Sequence, residues 1–309
     1  MLEAIFLSPF KDMLGAPAFL VEVLIGGLAA GLMYSLVALG FVLIFKASGV
    51  FNFAQGVMVL FAALTLVGLI ERGVPVVVGL VLTMLVMVAL AFAIERVVLR
   101  PLVNQEYIIL FMATIGLSYF LEGFGELLWG SNVKKLDVGI PDTSFMIRGV
   151  QINKLEMTAA LTAAVLVTVL AVFFQKTRIG RALRAVADDH EAALSIGIPL
   201  KTIWVVVWSV AGIVALVAGI MWGAKSGVQF SLSLIALKAL PVLILGGFES
   251  VPGAIVGGLI IGVGEKIGEV YWGPLVGGAI ENWFAYVLAL TFLLFRPQGL
   301  FGEKIIERV

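Results

Sequence analysis

The sequence predicts an all-α integral membrane protein, a polytopic bundle of about 8–10 transmembrane helices, some of them broken. Three observations carry that prediction. Of the 309 residues, 61% are hydrophobic and 13% charged, and the mean hydropathy is +1.14. A soluble domain is nearer half apolar and a quarter charged, and has too little polar surface to cover so much apolar surface. The apolar residues also come in long continuous runs, unlike the alternating segments of an outer-membrane barrel. Helices close their backbone hydrogen bonds within the segment, which lipid requires. Finally, glycine and proline interrupt some of the runs, where helices are expected to break.

Residues 1–18 hold Glu3, Pro9, Asp12 and Pro17. They lack the basic start and apolar core of a cleaved signal peptide and are expected to form an N-terminal interfacial segment. Nine apolar stretches follow, at roughly 19–45, 51–70, 74–95, 107–128, 157–175, 202–223, 232–247, 251–270 and 277–295. The first is long enough to be tilted or broken. The seventh and eighth are short, and Pro241, Gly246, Gly247, Pro252 and Gly253 interrupt them.

Two connections are long. Residues 129–156, with Asp137, Pro141, Asp142 and Asn153, are expected to form an external excursion. Residues 176–201, with Lys176, Arg178, Arg181, Arg184 and Lys201, are expected on the cytoplasmic side, where Lys and Arg accumulate. With nine spans the N-terminus then lies outside and the C-terminus inside. Lys134, Lys135, Arg148 and Lys154 in the external excursion run against that bias. The whole chain, 1–309, is expected to be a single transmembrane domain.

The zero formal net charge gives no electrostatic reason to expect nucleic acid. There is no cysteine, which excludes disulfides, thiol catalysis and thiolate metal sites. His190 is the only histidine, so a histidine-cluster metal site is excluded as well.

Glycine gathers in two places within the spans: Gly26, Gly27 and Gly31, then Gly246, Gly247, Gly253, Gly257, Gly258, Gly262 and Gly264. Small faces let helices approach closely in lipid. A second reading makes Gly246, Gly247, Pro252 and Gly253 helix breaks beside a substrate path. Asn52 and Gln55 interrupt the apolar sequence before the second span and are costly in lipid unless they face protein or water. They either cap that span or line a translocation path. Thr114 and Ser118, four residues apart on one helix face, are further path candidates, although such hydroxyls commonly bond their own backbone. Glu122 and Glu126 read as a solvated rim. Glu265 and Lys266 lie where snorkelling to the interface is easy. Lys238 is deeper and calls for a partner carboxylate or a water-filled cavity.

The most informative stretch runs from Gln175 to Pro199. It starts basic at a membrane exit. Asp188 or Asp189 can cap a short helix with Glu191 in its first turn, and Gly197 and Pro199 stop it. Ala192, Ala193, Leu194 and Ile196 form its apolar side. A rigid knob of this kind suits a mechanical coupler, and an ordinary interfacial helix would read the same way.

Glu191-Ala-Ala-Leu-Ser-Ile-Gly197 resembles the EAA-x-x-x-G core of the loop that bacterial ABC import permeases dock onto their ATPases. The Ile-x-Leu-Pro that commonly follows is replaced by Val207-Trp208-Ser209-Val210. Over roughly residues 20–302 the chain is similar to the branched-chain amino acid ABC transporter permease family of the LivH type. Gly27–Gly40, Gly49–Gly56, Thr177–Gly197, Leu245–Gly258 and Arg296–Gly302 carry the resemblance. It implies a permease domain of the ABC importer type, with 176–201 as its coupling loop and Asp188, Asp189, Glu191, Ala192, Ala193 and Gly197 as the coupling residues. It further implies a second, LivM-like permease subunit, two ATPase subunits that hold ATP–Mg, an external substrate-binding protein, and residence in the bacterial cytoplasmic membrane. No cofactor is expected on this chain. Branched-chain or other neutral amino acids are the implied cargo, and family members for urea, short amides or aromatic acids are the alternative.

An enzyme is not expected. Gly219-Ile-Met-Trp-Gly-Ala-Lys-Ser226 has Ala224 where a phosphate loop needs glycine, and no Gly-x-Ser-x-Gly or His-Glu-x-x-His occurs. The rival reading from another class is a stand-alone secondary carrier or channel, which would call for acid–base relays and inverted repeats within the membrane.

Overall fold

The computed structural model describes residues 7–102, 105–188 and 190–302. In chain order the described helices are α1 (Ser8–Gly15), α2 (Pro17–Ser48), α3 (Gln55–Glu71), α4 (Val76–Ala93), α5 (Tyr107–Trp129), α6 (Lys154–Lys176), α7 (Arg178–Asp188), α8 (His190–Ser195), α9 (Leu200–Ser226), α10 (Ile235–Gly246), α11 (Val251–Ile267), α12 (Gly273–Val276) and α13 (Glu281–Phe295). Six helical stretches among the described residues are long and apolar enough to cross a membrane: Pro17–Ser48, Val76–Leu102, Tyr107–Trp129, Lys154–Lys176, Leu200–Ser226 and Val251–Val276. Gln55–Glu71, Phe230–Gly246 and Trp283–Phe295 are shorter apolar helices. Together they coincide with the nine stretches expected. The first stretch is one unbroken helix of 32 residues, about 48 Å at 1.5 Å per residue. That exceeds the hydrocarbon thickness of about 30 Å, which favours tilt.

The chain divides into two compact units, each built from interleaved segments. One gathers the chain up to Ala38, Ile140–Val165 and the chain from Lys238 onward. Here α2 and α11 run antiparallel with almost no side chain between them. A Cβ placed on Gly262 would sit 2.4 Å from the Gly31 backbone, and one on Gly31 would sit 2.6 Å from the Gly258 carbonyl. The opposite edge of α11 meets α10, where a Cβ on Gly257 would lie 2.7 Å from the Val242 carbonyl. The Ser35 hydroxyl donates to the Gly31 carbonyl at 2.8 Å or to the Ile255 carbonyl at 3.2 Å, which binds α2 to α11.

The second unit comprises Leu39–Gly139 and Leu166–Leu237. Its centre is α3, in which every residue from Gln55 to Gly68 is buried. A helix apolar all round belongs inside protein, which is why a short helix suffices here. α3 packs on α9 at Gly219, whose added Cβ would meet the Val59 carbonyl at 2.7 Å. α4 exposes Val77, Leu85 and other large apolar side chains, as a lipid-facing helix does.

Two local features go beyond the sequence expectations. After α4 the helix widens into a π turn (Ile94–Leu99) and a 3-10 turn ending at Leu102. Glu95, 1% exposed, receives both Arg100 Nε at 3.1 Å and Arg100 Nη2 at 2.8 Å. Residues five apart diverge on an α-helix, and the π turn brings them together. Within residues 129–156 there is a small hairpin, β1 (Ser144–Ile147) antiparallel to β2 (Val150–Asn153). Its turn places Arg148 at φ 50° and Gly149 at φ 84°, the left-handed pair that a two-residue hairpin needs. Arginine in the first of these positions hid the turn from the sequence.

Candidate translocation and coupling sites

Lys238, Glu265 and Glu281 form a charged cluster in the first unit. Of the carboxylate or water-filled cavity expected beside Lys238, the structure supplies a carboxylate, Glu265: Lys238 Nζ lies 2.8 Å from Glu265 Oε1 and 3.8 Å from Glu281 Oε1. The Tyr34 hydroxyl donates to the same Glu265 oxygen at 3.0 Å. Snorkelling does not describe Glu265, which is 5% exposed. It follows Gly258 and Gly262 on the face of α11 that α2 covers, so lipid and water are both shut out. Side chains lean toward the N-terminus of their own helix, and on antiparallel helices Tyr34 and Glu265 therefore lean toward each other. Lys266, the next residue, turns outward and is exposed. The cluster ties α2, α10, α11 and α13 together. A buried carboxylate with an ammonium and a phenol around it is an electrostatic pin, retained because removal of either charge strands the other.

The interrupted segment before α3 is also fully engaged. Asn52 and Gln55 are both 0% exposed. Asn52 Oδ1 accepts the Ala54 N–H at 3.1 Å, which closes the turn that starts α3. Gln55 Nε2 donates to the Ala211 carbonyl of α9 at 3.4 Å. A Cβ on Gly40 would lie 2.5 Å from Gln55 Nε2, so glycine there makes room for this side chain. Thr114 Oγ1 accepts the Phe53 N–H at 3.2 Å and lies 2.8 Å from the Phe111 carbonyl and 3.3 Å from that of Phe51. Asn52, Gln55 and Thr114 thus converge on one loop and satisfy one another's surroundings. Ser118, one turn further along α5, is half-buried and does not join them.

The glycine-rich break is a tight turn between α10 and α11. α10 ends at Gly246, and Gly247 adopts φ 102°. The Ser250 hydroxyl caps α11 by accepting the Gly253 N–H at 3.0 Å, with Pro252 in its first turn. Gly246 and Gly253 stand back to back, where a Cβ on either would meet the other's carbonyl oxygen at 2.2 or 2.1 Å.

In residues 176–201, α7 precedes the expected helix, so Asp188 ends a helix where a cap for the next was expected. Asp189 lies outside the described residues. Arg184 Nη1 donates to the Phe174 carbonyl at 2.7 Å, which anchors α7 to the end of α6. α8 contains Glu191, Ala192 and Ala193 and closes at Gly197, φ 86°. The expected apolar side divides. Ala193 is 2% exposed, packed within this chain, while Leu194 and Ile196 are 53% and 73% exposed. An exposed apolar tip on a capped turn can seat in a partner's groove.

The model of the family described as "Branched-chain amino acid transport system / permease component" matches residues 23–296. The chain is 29% identical to the high-affinity branched-chain amino acid transport system permease protein BraD of Pseudomonas aeruginosa, over 94% of this chain and 98% of that protein. It is 28% identical to the permease protein LivH of Salmonella typhimurium, again over 94% of this chain and 98% of that one. Among solved structures, PsaBC from Streptococcus pneumoniae in complex with Fab overlays 87% of this chain and 89% of its own, with a TM-score of 0.49 and 15% identity. The match over nearly the whole membrane bundle, including both engaged loops and the exposed tip, places the chain in the branched-chain amino acid transport system permease family, as a multi-pass membrane component of a transport system.

Proposed function

We propose that this chain forms half of the translocation path of an ATP-driven importer for branched-chain or other neutral amino acids in the bacterial cytoplasmic membrane. A second permease subunit supplies the other half. Two ATPase subunits hydrolyse ATP–Mg and drive the cycle, and an external binding protein delivers the cargo. The observation that carries the proposal is the family match over residues 23–296, which joins to the exposed apolar pair Leu194 and Ile196 on the turn that follows α7, itself anchored to α6 by Arg184. A coupler needs a stiff base and a free apolar tip, and this segment has both. Residues 188–198 receive the power stroke. The Asn52–Gln55 loop and the Gly246–Gly253 turn are the rigid breaks beside the path, and Asn52, Gln55 and Thr114 hold the first of them in place. The chain itself binds no cofactor and hydrolyses nothing.

The test is uptake of labelled leucine into proteoliposomes holding the assembled importer, its binding protein and internal ATP. Uptake should require all partners and ATP. Leucine transport by the purified chain alone, without ATP, would overturn the proposal in favour of a carrier. A cognate binding protein that retains only urea or aromatic acids would remove the amino-acid cargo.

A further inference from the structure

One face of α6 is an apolar stripe that ends in a positive charge. Val165, Val169 and Val172 are all more than half exposed. Steps of three and four residues keep to one helix face, so the same stripe leads on to Lys176, the last residue of α6, which is exposed as well. α6 has 23 residues, about 34 Å at 1.5 Å per residue, against a hydrocarbon thickness of about 30 Å. Lys176 therefore falls in the headgroup layer at the end of the valine stripe.

α7 adds two cations at the same level. Gly180, Leu183 and Val186 recur every three residues and are buried, and α7 packs on α9. Arg178 and Arg181 lie on the opposite side of α7 and are exposed. The corner between α6 and α7 is stiff. A Cβ on Gly180 would overlap the Phe174 carbonyl. Arg184 Nη1 donates to that carbonyl at 2.7 Å, and the Thr177 hydroxyl accepts the Gly180 N–H at 3.1 Å. Arg181 Nη1 donates to the Lys176 carbonyl at 3.3 Å, which brings its guanidinium back to the end of the α6 stripe.

The three charges are not neutralised from within the chain. No Asp or Glu occurs between Glu156 and Asp188, and among the described residues Lys176, Arg178 and Arg181 form no ion pair. The core of a protein–protein contact is depleted in charge. An anionic phospholipid offers both things that this surface lacks. Its phosphate accepts from guanidinium and ammonium groups, with arginine well shaped for it. Its acyl chains cover the valines. Its net negative charge adds an attraction that a neutral phospholipid does not supply.

We propose that the α6–α7 corner is a contact surface for anionic phospholipid, with the headgroup on Lys176, Arg178 and Arg181 and an acyl chain along Val169 and Val172. The proposal rests on membrane residence alone and is independent of the cargo.

The test is native mass spectrometry of the full-length chain in detergent, with phosphatidylglycerol and phosphatidylcholine of identical acyl chains. The parent should retain phosphatidylglycerol in preference by about tenfold or more. K176Q/R178Q/R181Q should lose most of that preference. K176Q/R178Q keeps the bond from Arg181 to α6 and should lose a large part of it, so it decides the matter where the triple variant does not fold. K135Q/R148Q/K154Q removes the same charge elsewhere and should behave like the parent. Inorganic phosphate in large excess should not displace the lipid, since it brings nothing for the valines. Four results would each overturn the proposal: no preference in the parent, full preference in variants that elute and melt like it, equal loss in K135Q/R148Q/K154Q, or displacement by phosphate. Weaker co-purification of ATPase subunits with K176Q/R178Q/R181Q, while its lipid preference stands, would give this surface to a protein partner instead.

Discussion

Tyr34 and Glu265 meet at 3.0 Å although 231 residues separate them along the chain. Their contact depends on the glycines of α2 and α11. Only where Gly27 and Gly31 face Gly258 and Gly262 do the two helices come close enough for a phenol and a carboxylate to share one buried site with Lys238.

That cluster predicts a non-additive response. Lys238→Met leaves Glu265 charged and buried without its cation, at a cost of about 3–5 kcal/mol. Adding Glu265→Gln to the same chain should recover most of the loss, because the stranded charge is gone. Thermal unfolding of the detergent-solubilised chain measures both. A double variant as unstable as the single one would show that the pair does not act as a unit.

The helix crossing predicts opposite outcomes at neighbouring glycines. Gly262→Ala puts a methyl 2.4 Å from the Gly31 backbone, which cannot yield as a side chain would. The expected loss is on the order of 1–3 kcal/mol or more. Gly26→Ala meets only the flexible end of Lys266 at 3.7 Å and should be neutral or stabilising by up to about 1 kcal/mol, as alanine favours helix. The yield of monodisperse protein and its melting temperature separate the two.

At the loop before α3, Thr114→Val removes the acceptor of the Phe53 N–H while keeping the side chain's shape. Leaving that donor unpaired should lower stability by about 1–3 kcal/mol. Thr114→Ser should retain most of it. Ser118→Ala, outside this network, should stay within about 0.5 kcal/mol. Equal effects at 114 and 118 would remove the pinning role.

On the proposed coupling turn, Leu194→Asp and Ile196→Asp alter exposed side chains, so the melting temperature should hold. ATP-driven uptake by the assembled importer should fall at least tenfold, since a charge cannot enter an apolar groove without loss of hydration. Ala193→Leu, buried within the chain, should instead destabilise the protein itself. Normal uptake with Leu194→Asp would rule the tip out as the docking element.

Much of the architecture was legible because one physical requirement dominates it. Apolar runs about as long as the bilayer is thick must become helices, so the stretches read from hydropathy coincide with the observed spans and short helices. Asn52 and Gln55 stood out by their cost in lipid, and Gly197 and Pro199 by their backbone preferences. The hairpin at 144–153 did not stand out, because Arg148 occupies a left-handed position that arginine seldom takes. Helix α7 was missed as a separate element because its basic residues read as a loop flanking the membrane.

The sequence by itself determined that this chain lives in a bilayer as a bundle of helices, because hydrophobic content and run length decide that locally. It also supplied, at Glu191–Gly197, the family pattern for a coupling turn. Only the tertiary structure decided which polar groups find each other. Lys238 called for a carboxylate or a water-filled cavity, but nothing local named Glu265, which looked free to snorkel. Ala193 and Leu194 looked alike on one short helix, yet one packs inward and the other stands in the open. Partnership between distant residues depends on helix crossing and depth. Those are set by contacts such as Gly31 on Gly258, which no window of sequence contains.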